Sequence, residues 1–243
     1  YDQNFPDPAI IEVGGTYYAY ATTTGGASLP VMTSTDLVNW TARGDALGTG
    51  PSWSPVGPGG WNLWAPTVVE LPGGGFMAAF ASPTGSGNRR CIATAHASSP
   101  LGPFVASGTA PFVCEPGPNG ALDPFLVVDG GVPWVIWKNG GVPVGRPTLA
   151  PRRPGFWARA LADDGRAWRP GSTTHQPPET TEWLRPWQGT VIENPALVEI
   201  EGRWLLRHSA NDGDSDRYAM GYAVCPSPAG PCSEPGVGPR AAS

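Results

Sequence analysis

The sequence predicts an all-β protein made of repeated four-stranded sheets, a β-propeller. Three observations support this prediction: a hairpin pattern that recurs along the chain, frequent turn residues, and little helical periodicity. The 243 residues include 34 Gly and 30 Pro, which separate short apolar runs as tight turns separate strands. A disordered chain rich in Gly and Pro would be poor in aromatic residues, whereas this one has 11 Trp, 7 Phe and 6 Tyr.

The hairpin pattern occurs four times. Its copies are "DPAIIEVGGTYYAYAT" from Asp7, "APTVVELPGGGFMAAFA" from Ala65, "DPFLVVDGGVPWVIWKN" from Asp123 and "NPALVEIEGRWLLRHSA" from Asn194. Proline has no N–H and therefore fits the first residue of a strand, and the Gly-containing gap between two apolar runs is typical of a hairpin turn. A β-sandwich is the alternative, but its strands do not recur as hairpin units at a long period.

Each copy is followed by weaker strand signals, so each unit is expected to hold about four strands. "ATAHASSPLGPF" (93–104) and "GYAVCPSPAGPC" (221–232) both read as a strand that ends in a Pro-Gly turn. We interpret residues 1–243 as a single propeller domain with about four blades visible. The chain starts at Tyr1 without a Met, which we interpret as a processed or recombinant mature chain.

Charge and hydropathy disfavour two classes of partner. The net charge is −5, and Lys138 is the only lysine, so no basic run is available for nucleic acid or an anionic membrane. No apolar run approaches the roughly 20 residues that span a bilayer.

The four cysteines are either buried thiols or two disulfides. Disulfides are the preferred interpretation, and they predict an oxidising compartment and a secreted protein. Proximity in sequence favours Cys91–Cys114 and Cys225–Cys232, although four cysteines allow three pairings.

Three acidic residues occupy the starts of the repeats. Asp7 and Asp123 begin units one and three, and Glu193 precedes the start of unit four by one residue. The first strand of a propeller blade is the innermost one, so these acids are expected at one rim of the central channel. Because side chains alternate along a strand, Glu193 should point from a different wall. Any one Asp-Pro dipeptide is more typical of a turn; the shared position in the repeat carries the prediction.

Converging carboxylates suit the cleavage of a glycosidic bond. One carboxylic acid protonates the leaving oxygen, and a second acts on water or attacks the sugar. A third anion nearby would raise the pKa of the acid and keep it protonated.

These motifs resemble those of glycoside hydrolase family 43. The resemblance extends from about residue 3 to about residue 232 and is carried by "NFPDPAII", "WAPTVVEL", "ALDPFLVVDGG" and "VIENPALVEIEGRWLL". It implies a five-bladed propeller that hydrolyses α-L-arabinofuranosides, β-D-xylosides or β-galactosides with inversion. Carried over by motif, Asp7 would be the general base and Glu193 the general acid, and Asp123 would tune and hold the acid.

Two departures from the family pattern bear on these expectations. The family usually has Gly after the acid, where this chain has Asn194. The chain also has no match to a fifth blade, so we expect that blade to be missing or supplied by a separate polypeptide fragment. The resemblance implies no required cofactor, and a structural calcium ion in the central channel is an option.

Aromatic residues near the predicted rim are candidates for sugar binding. The resemblance places Trp64 in the substrate pocket, and Phe5 and Trp187 lie near the proposed acids in sequence. The three histidines, His96, His175 and His208, have no metal-binding spacing. The remaining alternatives are a β-galactosidase or galactofuranosidase, a propeller that binds glycans without cleaving them, and a scaffold for protein partners.

Overall fold

The computed structural model describes residues 3–85, 89–117, 119–140, 155–175, 186–189, 191–234 and 241–242. Within these residues the protein is all-β, apart from a short 3-10 helix at Pro186–Gln188. Four main antiparallel sheets follow one another along the chain, and we name them blades 1 to 4. The all-β prediction is therefore confirmed.

Blades 1 and 2 are joined by a segment that contains a small extra hairpin. Blade 1 consists of β1 (Ala9–Val13), β2 (Thr16–Tyr20), β3 (Pro30–Ser34) and β4 (Thr41–Asp45). The connecting segment holds β5 (Leu47–Thr49), β6 (Val56–Gly57) and β7 (Gly60–Trp61). Blade 2 consists of β8 (Trp64–Glu70), β9 (Phe76–Pro83), β10 (Arg90–Ala97) and β11 (Phe104–Ala106). Strand β5 pairs in parallel with β11 and extends blade 2 to five strands.

Blades 3 and 4 repeat the same order. Blade 3 consists of β12 (Ala121–Asp129), β13 (Val132–Asn139) and β14 (Gly155–Ala160). Blade 4 consists of β15 (Ile192–Ile200), β16 (Arg203–Ala210), β17 (Ala219–Cys225) and β18 (Ala241–Ala242). Each blade opens with an antiparallel hairpin, as the repeat predicted. Blade 3 has three strands within the described residues rather than four.

The first strands of the four blades surround one cavity of about 450 Å³. Strand β1 lies beside β8, β8 beside β12, and β12 beside β15. Apolar cores fill the spaces between successive blades, with Phe80 between blades 1 and 2, Ile92 between 2 and 3, and Leu206 between 3 and 4. Within the described ranges, no contact of similar extent joins β15 back to β1.

A left-handed backbone marks the start of every blade. The residues before the four repeat prolines are Asp7, Ala65, Asp123 and Asn194, with φ of 51°, 44°, 48° and 53°. In blades 2 to 4 the register of the first hairpin shifts at this point, as in a β-bulge. The following proline disfavours the right-handed helical region for the residue before it, and Asp and Asn tolerate the left-handed one. The same distorted turn is thus repeated at one rim.

Both predicted disulfides are present. Cys91 pairs with Cys114, and Cys225 with Cys232. The first ties β10 to the segment after β11, and the second ties the end of β17 to the residues that follow it. A search of the described residues for helices long and apolar enough to cross a membrane finds none.

The backbone conformation at Ala65 predicts that the Asn variant is more stable than the Val variant, the reverse of the usual order in a strand. An ordinary strand position favours Val over Asn, but the φ of +44° at Ala65 penalises a β-branched side chain. Urea unfolding is therefore expected to show Ala65→Val less stable than Ala65→Asn by about 2 kcal/mol. At Val105, an exposed residue of β11, the ordinary order should hold, with Val105→Asn less stable than the wild type. Equal or reversed stabilities at Ala65 would contradict the backbone assigned here.

Candidate active site

The three predicted acids lie at the blade starts, and one lysine links two of them, Asp123 and Glu193. Asp7 and Asp123 line the central cavity, together with Asn194. Glu193 lies on β15, one residue before the turn, and pairs with Ser209 of β16. The Nζ of Lys138 is 2.9 Å from Oε2 of Glu193 and 3.9 Å from Oδ2 of Asp123. Asp7 and Asp123, which are 116 positions apart in sequence, thus line one cavity, and Glu193 contacts the lysine that lies near Asp123.

Asp7 is held by a hydrogen-bond relay across two blades. The hydroxyl of Thr22 donates to Oδ2 of Asp7 at 2.6 Å, and the same oxygen of Thr22 accepts the N–H of Ala65 at 2.8 Å. Because the hydroxyl receives a donor from blade 2, its own hydrogen is directed at Asp7. The other carboxylate oxygen, Oδ1, has no hydrogen-bond partner among the described protein groups.

Glu193 is held at both carboxylate oxygens. Lys138 donates to Oε2 at 2.9 Å, and the hydroxyl of Tyr218 donates to Oε1 at 2.8 Å. The side-chain amide of Asn194 donates to the Tyr218 hydroxyl at 3.1 Å. Burial raises the pKa of Tyr218 to about 12, so this phenol stays a neutral donor at physiological pH. The carboxyl of Glu193 is therefore fixed between two donors, one on β13 and one in the segment before β17.

The carboxyl of Asp123 has a raised pKa. Burial, the largest cause, raises the pKa of its carboxyl, and the nearby carboxylates of Glu193 and Asp7 raise it further. The ammonium of Lys138 and the backbone N–H of Asn194, which donates to Oδ2 at 3.0 Å, act in the opposite direction. Asp7 and Glu193 are thus close enough to Asp123 to affect its ionisation, as the repeat predicted.

Comparison with known proteins identifies the family. The family described as "Glycosyl hydrolases family 43" matches residues 1–239. This chain belongs to glycoside hydrolase family 43. It is therefore a glycosidase that acts on glycans. No curated protein matches the chain.

Solved structures of family 43 enzymes share the fold. A thermostable family 43 hydrolase superposes with a TM-score of 0.74 at 24% identity, over 97% of this chain and 73% of its own. An endo-1,4-β-xylanase from Bacteroides thetaiotaomicron gives a TM-score of 0.70 at 26% identity, over 97% and 73%. An arabinanase from Bacillus subtilis gives 0.70 at 21% identity, over 98% and 78%.

The departure from the family pattern at Asn194 has a structural explanation. Asn194 takes the left-handed conformation found at every blade start, with φ of 53°. Glycine reaches that conformation freely, and Asn is among the few other residues that tolerate it. In this family 43 hydrolase the substitution keeps the backbone shape and adds an amide that donates to Tyr218.

The three predicted sugar-binding aromatics occupy different environments. Trp64, at the start of β8, is 44% exposed, and the guanidinium of Arg90 lies 3.5 Å from the centroid of its ring. Arg90 is buried and donates to the carbonyl of Asn62 at 2.8 Å, which fixes the cation under the ring. Phe5 is half-buried two residues before Asp7.

Trp187 has a packing role in this structure. Its ring is stacked on His208 at a centroid distance of 5.9 Å and packs against the core between blades 3 and 4. The assignment of Trp187 to substrate binding therefore has no support from its placement. Trp183, four residues before Trp187 in sequence, lies outside the described residues.

The donor set does not suit the structural calcium considered from the sequence. Calcium takes six to eight oxygen ligands, but apart from Asp7, Thr67, Asp123 and Asn194 the side chains that line the cavity are apolar. Across the described ranges, no three His, Cys, Asp or Glu residues are grouped so as to hold a metal ion. We derive no step through a metal.

Three polar residues of the site were not singled out from the sequence: Thr22, Lys138 and Tyr218. Lys138 lies on the second strand of its hairpin, and Thr22 lies two residues after the end of the second strand of its own, so counting outward from the Gly turns could have found both. Tyr218 lies in the segment before β17, and no repeat signal marks it.

The raised pKa of Asp123 predicts a pH-dependent gain in stability for Asp123→Asn. A carboxyl whose pKa is higher in the folded state loses stability as pH rises from its unfolded value near 4. The variant removes this loss, keeps an acceptor for the Asn194 N–H and tolerates the left-handed backbone. Urea unfolding is expected to show a gain of about 1 kcal/mol at pH 8 and little gain at pH 4. A gain that is larger at pH 4 would contradict the assignment.

Proposed function

We propose that this family 43 hydrolase is an inverting enzyme that removes terminal α-L-arabinofuranosyl or β-D-xylosyl residues from polysaccharides or oligosaccharides. The observation that carries the proposal is that the carboxyls of Asp7 and Glu193 have different hydrogen-bond partners. Among the described residues, none donates to Oδ1 of Asp7, whereas Glu193 is held at both oxygens by groups of blades 3 and 4. Unequal environments are how one site assigns acid and base roles to two carboxyls.

Asp7 is the proposed general base. Thr22 occupies Oδ2, which leaves Oδ1 to accept a proton from the attacking water. Inversion needs a water between the base and the sugar, so we expect the carboxyls of Asp7 and Glu193 to be roughly 6.5–9.5 Å apart.

Glu193 is the proposed general acid, and Asp123 is the proposed partner that tunes it. The acid delivers a proton to the leaving oxygen as the sugar–oxygen bond breaks, while water adds to the opposite face of the anomeric carbon and loses its proton to Asp7. Both carboxyls are near the Lys138 ammonium, with Oδ2 of Asp123 at 3.9 Å and Oε2 of Glu193 at 2.9 Å from its Nζ. Its negative charge opposes ionisation of Glu193, which favours the protonated acid.

Trp64 is the proposed platform for the sugar ring. One face of its indole is covered by the Arg90 guanidinium, and almost half of the side chain is exposed. Sugars present apolar faces that stack on such rings. Phe5, two residues before Asp7 in sequence, is proposed to form a second wall of the pocket.

Two alternatives use the same geometry. A β-galactosidase or galactofuranosidase would need the same acid and base with a differently shaped pocket. A propeller that only binds glycans would tolerate loss of a carboxylate, but all three acids are present and each has polar partners from neighbouring residues. The catalytic reading therefore has more support.

Secretion and the absence of a required cofactor remain predictions for this enzyme. The two disulfides support an oxidising compartment. The apolar cavity walls support catalysis by the protein's own carboxyls.

We further infer that a fifth blade closes the ring between blades 4 and 1. Val198 and Ile200 point away from the core of blade 4 and are 41% and 50% exposed, and Ile10 of β1 is 49% exposed. These apolar side chains lie on the two sheets that lack an extensive mutual contact. The closing blade would be a continuation of the chain or a separate polypeptide fragment.

Intact-mass measurement of the active purified protein tests the closing blade. The expected result is a polypeptide longer than residues 1–243 or a second fragment that co-purifies, because the exposed faces are unfavourable in water. A fully active, monomeric species of 25.4 kDa alone would contradict the inference.

The roles of Glu193 and Asp7 predict different responses to the leaving group. With a panel of nitrophenyl arabinofuranosides, xylosides and galactosides, Glu193→Gln should lower kcat/KM by 10²–10⁴-fold for poor leaving groups and much less for dinitrophenol, which needs little protonation. Asp7→Asn should lower kcat/KM by a similar factor for every leaving group, because the attack by water is impaired in each case.

Matched measurements control these variants. Glu199→Gln, on the exposed side of the same strand, should keep wild-type rates. NMR of the first product should show the inverted anomer. Retention of configuration, or full activity of Glu193→Gln on a poor leaving group, would refute the assignment.

A further inference from the structure

Lys138 is the single lysine of the 243-residue chain, and it is buried in the site. Its side chain is 8% exposed, although lysine is among the residues least often buried without a partner. A buried ammonium is costly unless it is paired and hydrogen-bonded. Here the partners are Glu193 at 2.9 Å and Asp123 at 3.9 Å.

The contacts of Lys138 cross from blade 3 to blade 4. Lys138 is on β13, next to Leu122 of β12 in the hairpin, and Glu193 is on β15. The bond to Glu193 therefore ties the proposed acid to a different sheet. Lysine can only donate, so the Oε2 oxygen is held as an acceptor towards it, and the carboxyl cannot rotate freely.

The charge of Lys138 has a second effect on the same carboxyl. An ammonium at hydrogen-bond distance favours the ionised form of a carboxyl, whereas a general acid must carry its proton when substrate binds. In the part of the chain that the structure describes, the ammonium of Lys138 and the neutral phenol of Tyr218 contact Glu193 directly; the carboxyl of Asp123 is near the same ammonium, and the amide of Asn194 donates to the phenol. Lys138 is the only cation among these groups, and it opposes Asp123.

We propose that Lys138 is a positioning residue that holds Glu193 between blades 3 and 4 and sets the upper pH limit of activity. This rests on the proposed role of Glu193 as the acid. Activity falls at high pH as the acid loses its proton, so a cation that favours ionisation lowers the pH of that fall. Lys138 thus fixes the geometry of the acid, and as a consequence activity falls at a lower alkaline pH.

The first test detects the ion pair without any activity measurement. Protein labelled with ¹⁵N at the lysine Nζ gives one side-chain signal, because the chain has one lysine. Glu193→Gln is expected to shift this signal clearly, and Glu199→Gln, on the exposed side of the same strand, should leave it in place. A signal that is the same in wild type and Glu193→Gln would overturn the pairing.

The second test measures the role of the charge through pH profiles of kcat and KM on the best nitrophenyl glycoside. Lys138→Met should lower kcat by about tenfold or more with KM changed less than about threefold, since a misplaced acid affects the chemical step. The pH at which kcat of this variant falls on the alkaline side should rise by about one unit. Lys138→Arg keeps the charge and should keep the limb near its wild-type position.

The controls separate this proposal from the proposed function. Arg169→Met removes a cation from an exposed ion pair with Asp163 and should leave kcat, KM and the limb unchanged. If the wild type cleaves no glycoside, the proposed function fails. If the wild type is active and folded Lys138→Met has an unmoved alkaline limb, the proposal about Lys138 is wrong. If Lys138→Met does not fold, Lys138→Arg provides the test. A shift of about one pH unit in the alkaline limb of its kcat profile would overturn the proposal about Lys138.

Discussion

The left-handed turn before each blade-start proline is the constraint on which the site depends. It occurs at Asp7, Ala65, Asp123 and Asn194, and in blades 2 to 4 it coincides with a break in the hairpin ladder. Such backbone costs of the order of 1–3 kcal/mol and persists where the surrounding fold enforces it. By interrupting the strand at the rim, the turn frees Asp7 and Asp123 to face the cavity. Two of the four turns thus carry acids, Asp7 and Asp123. At another turn, Asn194 donates to the Tyr218 hydroxyl, which in turn donates to the third acid, Glu193.

Electrostatic balance within the site follows from this placement. Three carboxyls at one rim would repel one another strongly if all were ionised and unpaired. The structure provides one ammonium, from Lys138, between Asp123 and Glu193, and neutral donors from Thr22 and Tyr218. Blades 3 and 4 therefore hold the proposed acid, while blades 1 and 2 orient the proposed base. The apolar cores between successive blades fix the position of blades 1 and 2 relative to blades 3 and 4.

Much of the fold and part of the site could be predicted from the sequence. The repeated x-Pro hairpins identified all four first strands, and proximity identified both disulfides. The shared repeat position led to Asp7, Asp123 and Glu193. For Trp187, nearness to Glu193 in sequence does not reveal which way the ring packs; here it stacks on His208. The fourth strand expected for blade 3 was not found among the described residues.

The sequence by itself determined which residues begin the inner strands, because Pro, Gly and apolar runs act locally on the backbone. Only the tertiary structure decided what surrounds them. The bond from Tyr218 to Glu193 and the relay from Ala65 through Thr22 to Asp7 join segments far apart in the chain. The placement of Lys138 between two carboxyls likewise depends on how blade 3 packs against blade 4. Such contacts arise from packing between sheets, which no local pattern of residues encodes.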